Sequence, residues 1–302
     1  MLRMVYEAVV LTVVLIAACF SLASRDAFCA AMEEMHHFGG HEHMGNAMKA
    51  PEVIVDLETR PAELRTGMPT TITFFIKDAG GNPLQDLTVT HERLVHVMII
   101  SADFRTFAHI HPDDLGPITS DMIKDARFPI RYVFPTAGRY LIALDSAVND
   151  EPFSEHFTVD VGGEPRMGTF KRDLSRGKMF GDYEVMLASS PERITVGKEV
   201  VLKYTISREG RPVTDLEPYL SAPMHVAIVE DDLNNFIHTH GELPDMPHHP
   251  MMAGHMHMEV PANFGPEIDI YINFPSKGFY QIFGELKHQG RVVLTSFMIQ
   301  VE

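Results

Sequence analysis

Short runs of alternating apolar and polar residues dominate this chain. They are clear in Val53, Val55, Leu57; in Ile72, Phe74, Ile76; in Phe128, Ile130, Tyr132, Phe134; and in Phe157, Val159, Val161. A period of two places each set on one face of a β-strand, and Gly, Pro, Asn and Asp punctuate the gaps between them. No stretch carries a convincing helical period. The pattern predicts an all-β protein of short strands, about seven to a domain, folded as a two-sheet immunoglobulin-like or cupredoxin-like β-sandwich.

The same pattern occurs twice. "GGNPLQDLTVTHERLVHVMIISADFRTFAHIHPDD" begins at Gly80 and "GRPVTDLEPYLSAPMHVAIVEDDLNNFIHTHGEL" at Gly210. Pro83, Asp86, His96, Asp103, Phe107, His109 and His111 correspond to Pro212, Asp215, His225, Asp232, Phe236, His238 and His240 at a constant offset of 129. Seven ungapped matches mark an internal duplication. "FPTAGRYLIAL" from Phe134 likewise answers "FPSKGFYQIFG" from Phe274. Two tandem domains are expected, at 51–162 and 181–302, joined by a linker at 163–180. The linker segment carries five basic residues against two acidic ones and reads as solvated.

Residues 1–30 read as a signal peptide or lipoprotein signal. Arg3 precedes an apolar run from Ala8 to Ala23 that is short for a membrane span. Ile16-Ala17-Ala18-Cys19 resembles a lipoprotein box, and a competing cleavage point lies near Cys29 or Ala30. Either implies export to the periplasm or a tether facing outside the cytoplasm, with membrane contact only through a signal anchor or lipid. Both cysteines lie in this segment, so the mature protein would have no disulfide and no thiolate ligand. A net charge of −16 repels nucleic acid and anionic lipid.

Soft-metal chemistry would then fall to Met and His. Between Met246 and Met258, nine of thirteen residues are Met or His, with His248, His249, His255, Met256, His257 and Met258 the densest part. Residues 31–50 read as a flexible arm with the same chemistry: Met32, Met35, His36, His37, His41, His43, Met44 and Met48. Thioethers select Cu(I) and hold zinc poorly, whereas imidazole accepts either copper state, so mixed tracts suit capture and transfer of copper or silver.

The repeated His-x12-His-x-His spacing adds a structured candidate. With the six residues "SADFRT" or "EDDLNN" as hairpin loops, His96 faces His111 and His225 faces His240, while His109 and His238 share those faces. Each set of three imidazoles is a plausible ligand shell for copper, with zinc possible. The competing reading has these histidines capping strand ends and bonding to backbone or carboxylates. Domain two also carries His288, with Glu285 three residues earlier, where domain one has Val148 and Asp145. It is therefore expected to be the better-equipped site, with His225, His238, His240 and His288 as ligands.

The patterns "HVxxVxxDxxxFxHxHG" and "FPxxGxYxIFGExxHxGxVxxxxF" of domain two resemble the exported YtkA-like and FixH-related β-sandwich modules of bacteria and, more loosely, cupredoxin-like copper-resistance proteins. The resemblance covers most of domain two and less of domain one. It implies an immunoglobulin-like fold, export and an association with heavy-metal handling. Domain one departs from the pattern at Val148, which counts against an equivalent site there.

The function expected is copper or silver binding, carriage or resistance in the cell envelope, with an envelope metal transporter or acceptor protein as partner. A non-catalytic interaction or scaffold module with structural histidines is the alternative. A metal-dependent enzyme is a weaker one: the chain has no Gly-rich phosphate loop, no GxSxG element and no cysteine ligand for a blue-copper centre. It is not expected to be an enzyme.

Overall fold

Eighteen strands account for most of the described backbone. The computed structural model describes residues 52–164, 167–168, 170–244 and 260–302. Residues 1–30, expected to be a signal, the Met/His arm at 31–50 and loop 246–258 lie outside these residues. The first copy holds β1 (Val53–Arg60), β2 (Pro69–Asp78), β3 (Leu87–Thr88), β4 (Val95–Ser101), β5 (Phe107–Ile110), β6 (Arg127–Val133), β7 (Gly138–Val148) and β8 (Glu151–Val161). The second holds β9 (Gly177–Phe180), β10 (Tyr183–Ser190), β11 (Glu199–Arg208), β12 (Arg211–Pro212), β13 (Leu216–Glu217), β14 (His225–Glu230), β15 (Phe236–His240), β16 (Glu267–Asn273), β17 (Gly278–His288) and β18 (Arg291–Val301). The strands exceed the expected seven per copy because short edge pieces such as β3 and β13 add to the main ladders. Among the described residues, a 3-10 turn at Pro112–Leu115 and a five-residue α-helix, Ser120–Lys124, interrupt the strands, and the α-helix is capped by the Thr119 hydroxyl, which accepts from the Met122 N–H.

Each copy is a sandwich of two antiparallel sheets. In the first, β1-β2-β6 faces β3-β7-β4-β5, with β8 pairing β7. In the second, β12-β11-β10-β9 with β16 on β11 faces β13-β17-β14-β15 with β18 on β17. Alternation fills the space between the sheets. Ile72, Phe74, Ile76, Phe128 and Ile130 meet Val97, Ile99, Ile142 and Leu144, all of them fully buried. Leu202, Tyr204, Ile268 and Ile270 meet Val226, Ile228, Ile282 and Phe297 in the second copy. Tyr140 and Tyr280 each donate from the hydroxyl to a carbonyl four residues upstream, Thr136 at 2.9 Å and Ser276 at 3.1 Å, the corner bond of immunoglobulin-like sandwiches.

A third apolar core lies outside both sandwiches. On β4 and β14 the residues that point away from their own sandwich are apolar apart from His96 and His225, and every residue of both strands is buried. Met98, Ile100, Phe104, Leu141 and Ala143 of the first copy pack against Ala227, Val229, Leu233, Phe283 and Met298 of the second. Phe107 stacks on Phe283 with ring centroids 4.7 Å apart. Each large side chain buried this way contributes ~2 kcal/mol, so residues 51–302 form one compact unit with the copies joined face to face along an apolar seam.

The segment between the copies is mostly exposed, as its charge predicts, but two of its side chains rest on the seam. Phe170 sits edge-on to Phe104 at 5.3 Å. Arg172 lies 4.0 Å over the Phe279 ring and donates to Asp231. Apolar contact, cation–π attraction and an ion pair together draw the basic segment onto the hairpin turns. Among the described residues, no helix is long and apolar enough to cross a membrane.

Candidate metal centre

The seam is apolar at the hairpin-turn end and imidazole-lined at the other. On β4, His96, Met98 and Ile100 share the seam face, as Ala227 and Val229 do with His225 on β14. The register of β14 with β15 places His225 opposite His240. The pairing of Val97 with Ile110 carries His96 to the position opposite His111. These are the cross-strand relationships that the hairpin spacing predicts, and they bring three imidazoles together in each copy.

The two sets then meet each other. His96 and its counterpart His225 lie with ring centroids 5.8 Å apart, and His109 lies 5.5 Å from His225 and 5.7 Å from its own counterpart His238. Nearby, the Ser221 hydroxyl donates to Glu92, again its own counterpart, at 2.7 Å. When residues repeatedly touch their own equivalents across a contact, that contact has a local two-fold axis. Reciprocal bonds confirm it: His109 Nδ1 donates to Glu285 Oε2 at 2.6 Å, and His238 Nδ1 donates to Asp145 Oδ2 at 3.0 Å. Asp145 and Glu285 occupy equivalent places, each opposite the first histidine of its own copy.

These partners dictate the tautomers. A neutral imidazole carries one N–H, and carbonyls and carboxylates only accept. His96 Nε2 bonds to the Thr90 carbonyl at 3.1 Å, His109 Nδ1 to Glu285, and His111 Nδ1 to Asp114 Oδ2 at 3.2 Å. Their protons are thereby committed, and His96 Nδ1, His109 Nε2 and His111 Nε2 are left bearing lone pairs. Those three nitrogens form a triangle with sides of 3.1, 3.2 and 3.2 Å. A tetrahedral ion with metal–nitrogen bonds of ~2.0–2.1 Å needs ligand nitrogens ~3.3 Å apart.

Burial keeps the rings neutral. His96 and His111 are almost wholly enclosed. Desolvation, reinforced by neighbouring histidines, pushes His96 down to about 2 and His111 down to about 4. His225 and His240 are held well below the usual histidine range, again chiefly by burial. Converging lone pairs, with His96 and His111 held neutral by burial, are suited to a cation other than a proton.

Several sequence expectations change here. His288 does not join His225, His238 and His240. It lies three residues from Glu285 on β17 and therefore on the opposite face, where its Nδ1 accepts from the Tyr183 hydroxyl at 2.7 Å and its Nε2 donates to Asp215 at 2.9 Å. Val148, its counterpart, is an ordinary core residue, so it has no bearing on a site in the first copy. Glu285 anchors an imidazole of the other copy instead of completing a domain-two site. The histidines of the two copies meet in one joint cluster rather than lying apart in their own domains. His248, His249, His255, Met256, His257 and Met258 lie outside the described residues.

His91, Asp114 and Asp145 were not singled out by spacing. His91 stacks on His240 of the other copy at 3.6 Å. It reaches there because Thr90–Arg93 is a tight turn with His91 and Glu92 both in left-handed backbone, φ 50° and 66°. His91 stands five residues before His96, but Leu220 occupies the equivalent place in the second copy, so a search for repeated residues passes over it.

Similarity to solved structures is weak. The Escherichia coli adhesin FdeC aligns at 13% identity with a TM-score of 0.23, over 85% of this chain and 66% of the adhesin chain. Escherichia coli alpha-2-macroglobulin aligns at 8% and 0.25, over 83% of this chain and 16% of that one. The outer capsid protein Hoc of bacteriophage RB49 aligns at 10% and 0.20, over 83% and 70%. The chain thus spans less than two thirds of the adhesin and a small part of the macroglobulin, and scores this low leave the fold to rest on its own strands. No curated protein matches. A family model matches twice, at residues 49–163 and 178–302, taking in both sandwiches. The chain belongs to the family described as "Domain of unknown function (DUF8832)", of which it carries two copies.

Proposed function

We propose that this protein binds copper in the cell envelope, with the imidazole cluster between its two sandwiches as the resident site. The observation that carries the reading is the triangle of lone-pair nitrogens on His96, His109 and His111, 3.1 to 3.2 Å apart. Imidazole suits both copper and zinc, and carboxylates or carbonyls on the far ring nitrogens raise ligand basicity and hold ring orientation. Copper is favoured over zinc by the Met/His tracts at 32–48 and 246–258, whose thioethers match Cu(I). In this reading the tracts capture or pass on the ion, an envelope transporter or acceptor is the partner, and residues 1–30 direct export.

The test is titration of the full chain with Cu(II), Cu(I) and Zn(II), beside a His109→Ala, His111→Ala double variant. Copper uptake that the double variant loses supports the cluster as the site. Preference for Zn(II) would replace the metal and keep the site. Uptake unchanged in the variant would sink the cluster and leave the tracts as the binding element.

A second reading has a specific observation in its favour. His109–Glu285 and His238–Asp145 link the two copies, so the histidines would serve as interface fasteners in a scaffold module. On that reading, adding metal to the metal-free protein leaves its melting temperature unmoved. A site loaded at about one hundred times its dissociation constant stabilises by ~2.7 kcal/mol.

A further inference from the structure

We infer that the centre takes two ions, the second held by His225, His238 and His240 of the second copy together with His91 reaching across from the first. This inference rests on the metal-binding reading above and extends it to stoichiometry and to a distinct second set of ligands.

The second set repeats the logic of the first. His225 Nε2 donates to the Leu220 carbonyl at 3.3 Å and His238 Nδ1 to Asp145 at 3.0 Å. Their remaining nitrogens, His225 Nδ1 and His238 Nε2, carry lone pairs and lie 3.5 Å apart. His240 is wedged between them, its ring centroid 4.5 Å from that of His225 and 4.8 Å from that of His238. Its Nε2 is buried with no hydrogen-bond partner among the described residues. A buried polar atom left in that state costs about 1–3 kcal/mol unless something binds it. His91, His225 and His240 each offer a ring nitrogen within 4.8 Å of the others, which places His91 among the second set.

The first triangle is already closed at tetrahedral spacing by its own three nitrogens, so His225, which offers a ring nitrogen within 4.8 Å both of His96 and His109 and of His91 and His240, is left to the second set. The sets also differ in rigidity. Asp114 holds His111 in place, whereas the residue at the equivalent distance after His240 is Leu243. His240 is instead packed against His91, itself carried on a two-residue turn. The second site is therefore the more adjustable one, with a fourth imidazole that the first copy supplies.

The experiment loads the full, metal-stripped chain with Cu(II) and reads two quantities: ions retained after desalting, and the half-field electron paramagnetic resonance signal that only closely spaced Cu(II) pairs produce. Copper on the Met/His tracts adds to the first quantity in every variant alike, so differences between variants report the seam. Wild type is expected to give the half-field signal. His91→Leu, the residue that the second copy carries at this place, is expected to retain one ion fewer and lose that signal while keeping an isolated Cu(II) spectrum. His240→Ala should do the same. A wild type with only an isolated imidazole-ligated spectrum, and His91→Leu retaining as much copper, would overturn the two-ion inference and leave the single site standing. A wild type indistinguishable from the His109→Ala, His111→Ala variant would remove both.

Discussion

His109 and Glu285 come from different copies of the repeat, yet their side chains meet at 2.6 Å, and His238 and Asp145 make the same bond with the copies exchanged. Each pair fixes one ring nitrogen as donor and turns the other into the cluster. The carboxylates thus set ring orientation, and on the metal-binding proposal they would do so without touching an ion. Glu285→Gln and Asp145→Asn keep an acceptor and remove the charge that raises imidazole basicity. Each is expected to weaken copper binding by about 10–100-fold with the fold retained, as measured by competition with a chromogenic chelator. Unchanged affinity in both would mean that the pairs serve only the interface.

The metal-free protein is expected to be acid-sensitive. His96 and His111 titrate near 6.5 when unfolded, but at about 2 and about 4 when folded. Below pH 6.5 the unfolded chain therefore binds more protons, and stability falls with pH. The loss is ~1.4 kcal/mol per pH unit for each such imidazole, down to pH ~4 for His111 and further for His96. Above pH 7 the contribution of both groups is fully present. Urea midpoints measured with chelator at pH 7.5, 6 and 5 should decline in that order. A flat profile would argue against enclosed, neutral rings.

Phe283 is 2% exposed and stacks on Phe107 across the seam. Phe283→Ala should cost about 3–5 kcal/mol. Because the seam presents both sets of histidines, metal retention should fall with it. If the variant melts in two steps while wild type melts in one, the seam is what couples the sandwiches. If stability is unaffected, the two copies do not pack as described.

His288 supplies the contrasting case. Its ring nitrogens serve Tyr183 and Asp215 on the far face of β17, and the ring is 3% exposed. His288→Ala leaves a buried hydroxyl without its acceptor and should lower stability by about 1–3 kcal/mol. Copper stoichiometry should remain that of wild type. Loss of an ion in this variant would return His288 to the ligand set.

What could be read from residues alone divides at the level of the single sandwich. Alternation in Ile72, Phe74 and Ile76 and the doubled His-x12-His-x-His were enough for strands, repeat and hairpin register, because each depends on neighbours a few residues away. His225 opposite His240 followed from loop length. The joint cluster depends on which faces of two sandwiches meet, and spacing within one copy carries no information about that. A trace was present nonetheless. "VHVMII" and "MHVAIV" are apolar at nearly every position rather than at every second one, which fits a strand covered on both faces. His288 misled because it stood at a tempting interval from Glu285, and an interval of three reverses the face on a strand.

The local two-fold between the copies has a chemical consequence that arises from their being one polypeptide. In a dimer of identical chains, any residue that approaches the axis is present on both sides, so a bulky or charged newcomer must be accommodated twice. Here His91 faces the cluster from one side only, with Leu220 as its opposite number, and Asp114 steadies His111 while Leu243 follows His240. On the two-ion proposal, joining the halves end to end lets one half become a stiff receptacle and the other a compliant one, a division of labour closed to a strictly symmetric pair.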